Sequence, residues 1–119
     1  MSDANRDLGN AWLAAFNARD LDRLVGLYAE DAHHTSPKLR VQRPETGGRI
    51  VGQAALRAWW GDAFTRLPGM RYEPLTVTAD AARVFLEYDR HVPGEPSYPV
   101  AEVFDVVDGR IVASRVYHG

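Results

Sequence analysis

The chain of 119 residues contains no cysteine. That absence removes disulfide frameworks, thiolate metal sites and cysteine nucleophiles. A basic surplus is missing too: 14 Lys and Arg stand against 16 Asp and Glu, for a net charge of −2. Arginine is spread along the chain, so nothing supplies the basic patch that nucleic acid requires. No apolar run approaches the ~20 residues that cross a bilayer. The opening MSDANRDLGN is polar and acidic, unlike a secretory leader. These gaps predict a cytoplasmic protein with no nucleic-acid or membrane partner. Repeats, linkers and low-complexity segments are lacking as well, which predicts one domain over residues 1–119. At 45% hydrophobic and 25% charged, the chain has the composition of a globular fold with a single core.

Leu8, Ala11, Trp12, Ala15 and Phe16 recur at helical spacing and predict a first helix. Asp20 stands at an N-cap position, and Leu21, Leu24, Val25 and Tyr28 carry the period over a short second helix. Ala32–Ser36 reads as a short strand stopped by Pro37, and Lys38–Gly48 as a loop. A third helix covers Gln53–Leu67, ended by Pro68–Gly69. Beyond Met70 the period drops to two. Arg71–Thr78 alternates around Pro74, the mark of an edge strand or a bulge. Ala82–Val92 is a strand and Pro93–Ser97 a turn. Tyr98–Val107 and Arg110–His118 flank Asp108–Gly109, a hairpin signal. This order predicts an α+β fold: a curved antiparallel sheet packed on three N-terminal helices, cone-shaped and open at one end over a cavity.

Four stretches carry a family likeness: the first helix with its inner aromatics, RDLDRLVGLYAEDA (19–32), GQAALRAWW (52–60) and AEVFDVVDGRIVASRVYHG (101–119). Together they resemble the SnoaL-like polyketide cyclases. These belong to the cystatin-like, nuclear transport factor 2-like superfamily, with ketosteroid isomerase and limonene epoxide hydrolase. The resemblance covers nearly the whole chain. It implies a cone that binds a small molecule, and acid/base chemistry without a cofactor. The same cone also serves non-catalytic binders, so the fold alone does not give a reaction. The isomerases' oxyanion-binding tyrosine falls on Trp12, their catalytic aspartate on Ser36, two pocket aromatics on Trp59 and Trp60, and their second oxyanion donor on Glu102. The cyclases' acid on the last strand falls on Val116. Most of the isomerase machinery is therefore replaced, since a serine hydroxyl is no general base near neutral pH.

YAEDAHHTSP (28–37) gathers two acids and two histidines. Adjacent strand residues point to opposite faces, so His33 and His34 cannot hold one metal together. No metal and no cofactor are expected. If Ser36 faces the cavity, so does His34, an imidazole suited to proton transfer. Glu102 is the sharpest anomaly, lying between Val100 and Phe104 on one strand face. A carboxyl there must be paired or hold its proton. A two-residue turn sets Glu102 opposite Arg115, a structural ion pair. A three-residue turn with a glycine bulge sets it opposite Ser114, with Tyr98 opposite His118; the resemblance favours this register. Tyr88 or Arg90 on the neighbouring strand is a further candidate partner.

The candidate catalytic residues are Glu102, His34 and His118. The candidate substrate-binding residues are Trp12, Phe16, Tyr28, Ser36, Trp59, Trp60, Tyr88, Arg90, Tyr98 and Phe104. The aromatic interior suits a small apolar, polyketide- or terpenoid-like molecule, handled by an isomerase, cyclase, dehydratase or hydrolase. A non-catalytic ligand-binding or assembly module is the alternative. Ala101, Val103, Val107, Ile111 and Tyr117 have the opposite parity, and predict a homodimer through the outer sheet face.

Overall fold

The computed structural model describes residues 3–118. The first apolar stripe forms α1, Asp3–Asn17, which buries Gly9, Trp12, Leu13, Ala15 and Phe16. Arg19 follows in a left-handed conformation (φ 56°). Its guanidinium donates to the carbonyls of Leu67 and Met70, both at 2.8 Å. Asp20 caps α2, Leu21–Gly26, by accepting from the Arg23 amide. β1 is Tyr28–Thr35, so Tyr28 opens a strand and does not end a helix. Ser36 and Pro37 then start α3, Pro37–Gln42, where a loop was expected. A hydroxyl at the N-cap and a proline at the first position form a helix start. A 3₁₀ turn at Pro44–Thr46 leads to β2, Arg49–Val51, and α4, Gln53–Arg66. The α-helices therefore number four, and not three, among the described residues.

The period-two region forms β3 (Arg71–Ala79), β4 (Arg83–His91), β5 (Tyr98–Val107) and β6 (Arg110–His118). All six strands make one curved, unclosed sheet in the order β2-β1-β6-β5-β4-β3. The sheet is mixed: β1 runs parallel to β6, while the other neighbours are antiparallel. The β3–β4 ladder shifts register between Pro74 and Thr76, the bulge that Pro74 forecast. α1 packs across β3 and β4, close enough that a side chain at Gly9 would force its neighbours to shift. A Cβ there would stand 2.8 Å from Val84 and 2.9 Å from Leu86. Trp12, Phe16, Leu24, Leu56, Leu86, Phe104 and Ile111 fill the core between helices and sheet. Each such side chain stabilises the fold by about 1.5–3 kcal/mol.

The β5–β6 register matches neither expectation. Asp108 and Gly109 both have positive φ (52° and 76°), as a two-residue type I′ turn demands. Val107 pairs with Arg110 and Val106 with Ile111, but Asp105 pairs with Ala113. Val112 is thus an extra residue in β6, a bulge that advances the register by one. Glu102 faces Val116, and neither Arg115 nor Ser114. Val100, and not Tyr98, faces His118. The same bulge turns Ile111 into the core, fully buried, and not onto the outer face.

Candidate functional site

The concave face of the sheet and α4 enclose a cavity of about 160 Å³. Its wall is aromatic, formed by Phe16, Trp59, Trp60, Tyr72 and Tyr88. His34 and Glu102 are its deep polar groups. Lys38, Gln42, Arg66, Arg90, Glu95 and His118 are further polar members of the lining, with Ser36 and apolar side chains between them.

Strand alternation delivers Glu102 to the concave face with Val100 and Phe104, and it is 1% exposed. On β4, Tyr88 lies one diagonal step away, opposite Val100. Its hydroxyl donates to Glu102 Oε1 at 2.7 Å. Oε2 is buried and has no hydrogen-bond partner among the described residues. Burial pushes the Glu102 carboxyl up to about 8, against the smaller opposing pull of the Tyr88 hydroxyl. No cation among the described residues offsets this. Arg115 is on the outer side, bound to Asp105 at 2.8 and 3.2 Å. Arg90 is held by Glu95 at 3.0 Å. At neutral pH Glu102 is therefore chiefly a carboxylic acid. Tyr88 and Tyr72, stacked at 4.0 Å, are both pushed up by burial and then by the nearby Glu102, so they stay phenols.

His34 comes from β1, where the alternation sends His33 outward to Arg49 and His34 inward against Trp60. A hydrogen-bond chain fixes its tautomer. The Trp12 indole, a donor only, gives its N–H to the Tyr28 oxygen at 3.1 Å. The Tyr28 hydroxyl donates to Ser114 Oγ at 3.3 Å. Ser114 Oγ lies 2.6 Å from His34 Nδ1. The arrangement that leaves no hydroxyl hydrogen idle has Ser114 donating to Nδ1. The proton of His34 then sits on Nε2, the remaining polar atom of a ring that lines the cavity. Burial, then the charge of His33, pulls His34 down to about 3, so the ring stays neutral. His34 is a fixed neutral donor and not a proton carrier.

His118 reaches the cavity from the end of β6, with its ring 5.4 Å from Tyr98. Partial burial, then Lys38 and Arg90, lower its pKa, which leaves a neutral imidazole able to accept a proton.

Several expected walls lie elsewhere. Trp12, Tyr28 and Phe104 do not line the cavity; they are fully buried beneath it, packed on one another. Tyr98 is outside the lining too, under the Arg90 guanidinium at 5.4 Å. Ser36 touches the cavity, but its hydroxyl accepts from the Lys38 amide at 3.2 Å and caps α3. Phe16, Trp59, Trp60, Tyr88 and Arg90 line the cavity. Tyr72, Lys38, Gln42, Arg66 and Glu95 were not anticipated. The Ser36–Pro37 helix start was a signal for Lys38 and Gln42, one turn apart on α3. One group with metal-ligand spacing occurs among the described residues, Glu73, Asp89 and His91, on the surface of β3 and β4 outside the cavity.

Residues 10–114 match the model of the SnoaL-like domain family. The chain belongs to this family. Solved structures agree with the assignment. A SnoaL-like protein of unknown function from Burkholderia thailandensis is 26% identical, with a TM-score of 0.87 over 100% of this chain and 98% of its own. A candidate polyketide cyclase from Sinorhizobium meliloti is 25% identical, with a TM-score of 0.77 over 93% of this chain and 94% of its own. A candidate ketosteroid isomerase from Kribbella flavida shares the fold at 19% identity, with a TM-score of 0.80 over 99% of this chain and 79% of its own. No curated protein matches the chain. This SnoaL-like domain thus holds a nuclear transport factor 2-like cone whose interior carries a buried acid, a pinned histidine and an aromatic wall.

Proposed function

We propose that this SnoaL-like protein is a cofactor-independent acid/base enzyme acting on a small, largely apolar ring carbonyl. The observation that carries the reading is Glu102 Oε2, a carboxyl atom buried at a cavity with no hydrogen-bond partner among the described residues. Buried polar atoms are rarely left unpaired, and a ligand oxygen is the natural complement. In this reading the substrate carbonyl accepts from the Glu102 acid and from His34 Nε2–H. His118 accepts the proton from the carbon beside the carbonyl. Glu102 is the diagonal cross-strand neighbour of His118, on the order of 7 Å apart at Cβ, which leaves room for that carbon unit. As charge gathers on the carbonyl oxygen, two preorganised donors stabilise it. Return of the proton to a different carbon gives isomerisation, and attack of the enol on an electrophile gives cyclisation. The resemblance adds one point: the place of the cyclases' acid, Val116, is the direct cross-strand partner of Glu102. Glu102 thus offers a carboxyl one strand over from that place. An apolar cavity of ~150 Å³ holds benzene, so one ring fits fully inside and a second reaches the mouth.

The test uses 2-tetralone in deuterated water, with exchange beside the carbonyl read by proton NMR. The protein accelerates exchange over buffer, and Glu102→Gln loses at least tenfold of the acceleration. No acceleration with tetralone, indanone or decalone overturns the enzymatic reading. The non-catalytic binder then stands, favoured by His34 being unable to take up a proton at neutral pH.

A further inference from the structure

The cavity mouth has a charge pattern that the acid/base reading does not use. Three cations line it, Lys38, Arg66 and Arg90, against one exposed carboxylate, Glu95. Arg66 is already held by Asp62 at 2.7 Å and Gln42 at 3.2 Å. Lys38 has no side-chain hydrogen bond or ion pair among the described residues, and its charge is felt at His118. Arg90 is the unusual member. Its side chain is 6% exposed, seated over the Tyr98 ring, and its one polar side-chain partner among the described residues is Glu95. A guanidinium has five N–H donors in a planar fork, and this one is nearly buried with a single acceptor among the described residues. Such a fork matches a carboxylate bidentately. Glu95, by contrast, is half-exposed and sits on the turn between β4 and β5, beside Gly94 with φ 84°. Among the described residues, only its bond to Arg90 holds its side chain.

We propose that Arg90 and Lys38 form a carboxylate-binding site at the cavity mouth, that Glu95 occupies it in the absence of ligand, and that the ligand is a small ring bearing a carboxylate. Arg90 lies two residues after Tyr88 on the same face of β4. A ring stacked between Trp59, Trp60 and Tyr88 therefore presents one end to Glu102 and the other to Arg90. The ligand carboxylate displaces Glu95, which swings into solvent where its charge is hydrated. This deepens the proposed function by naming its substrate class as ring acids, and rests on that reading only for which end of the ring faces Glu102.

The experiment compares 1-naphthoate with its neutral isostere 1-naphthamide by calorimetry at pH 7.5. Naphthoate binds at least tenfold more tightly than the amide. Lys38→Met and Arg90→Met each weaken naphthoate severalfold or more and leave the amide within twofold. Lys38→Met, at a half-exposed position, covers the case in which Arg90→Met fails to fold. Glu95→Gln, which removes the competing charge, tightens naphthoate severalfold and leaves the amide unchanged. Equal affinities, no binding of either probe, or a naphthoate affinity indifferent to Lys38 and Glu95 overturns the proposal. A naphthoate preference without exchange of 2-tetralone protons leaves the carboxylate site standing and removes the catalytic reading alone.

Discussion

Replacing Glu102 by Gln keeps the shape of the side chain and removes its titration. The carboxyl has an ordinary value of 4.5 and is held at about 8 in the folded protein. Below pH 4.5 both the folded and the unfolded chain keep the proton, and the shift has no effect on stability. Between 4.5 and about 8 the unfolded chain releases a proton that the folded one retains. Stability contributed by this group therefore falls as pH rises through that window. The whole gap corresponds to about 5 kcal/mol, at ~1.4 kcal/mol per pH unit. From pH 5 to 7.5 the parent should lose about 3 kcal/mol relative to Glu102→Gln. For a domain of this size ~1 kcal/mol moves the thermal midpoint by about 4 °C, so the midpoint difference should swing by roughly 10 °C. Every other titrating group is common to both proteins, and the difference isolates Glu102. Calorimetric melting of both across pH 5 to 8 is the assay. Parallel midpoints would refute the buried-acid argument. A parent that gains on the variant as pH rises would show an ion-paired carboxylate.

Three further outcomes follow from the geometry. Ser114→Ala removes the acceptor of Tyr28 and the donor to His34, and should cost about 1–3 kcal/mol in urea unfolding; a loss within 0.3 kcal/mol, roughly the noise of such measurements, would break the relay. Gly9→Ala should lose about 1–3 kcal/mol by driving a methyl into Val84, Leu86 and Val77, read as a fall in thermal midpoint; an unchanged midpoint would show α1 free to lift. We also propose that the outer sheet face, with Phe85 45% and Tyr117 55% exposed, pairs two copies of the chain. Sedimentation at micromolar concentration should give twice the chain mass, and a single-chain mass would count against it.

Local signals carried the elements well. The helical stripe of α1, the period-two region and the bulge at Pro74 are each set by neighbours within a few residues. The inward position of Glu102 was legible because its apolar neighbours Val100 and Phe104 share its face. What the sequence hid was long-range. The extra residue at Val112 has no glycine or proline to mark it, so the partner across from Glu102 was misjudged. The parallel pairing of β1 with β6 joins segments about 80 residues apart, and local pattern says nothing about it. Trp12 looked like a cavity wall because helical spacing gives a buried face but not what lies beyond it. There it meets Tyr28, Phe16 and Phe104. The Arg90–Glu95 pair depended on how the Pro93–Ser97 turn folds back.

The protonation state of Glu102 is the claim on which the site rests. The most direct measurement is a carbon-13 NMR titration of its side-chain carboxyl, assigned by the signal lost in Glu102→Gln. Its midpoint should lie near 8, with the acid form dominant at pH 7. A midpoint at or below 4.5 would contradict it and return Glu102 to the role of an ordinary carboxylate.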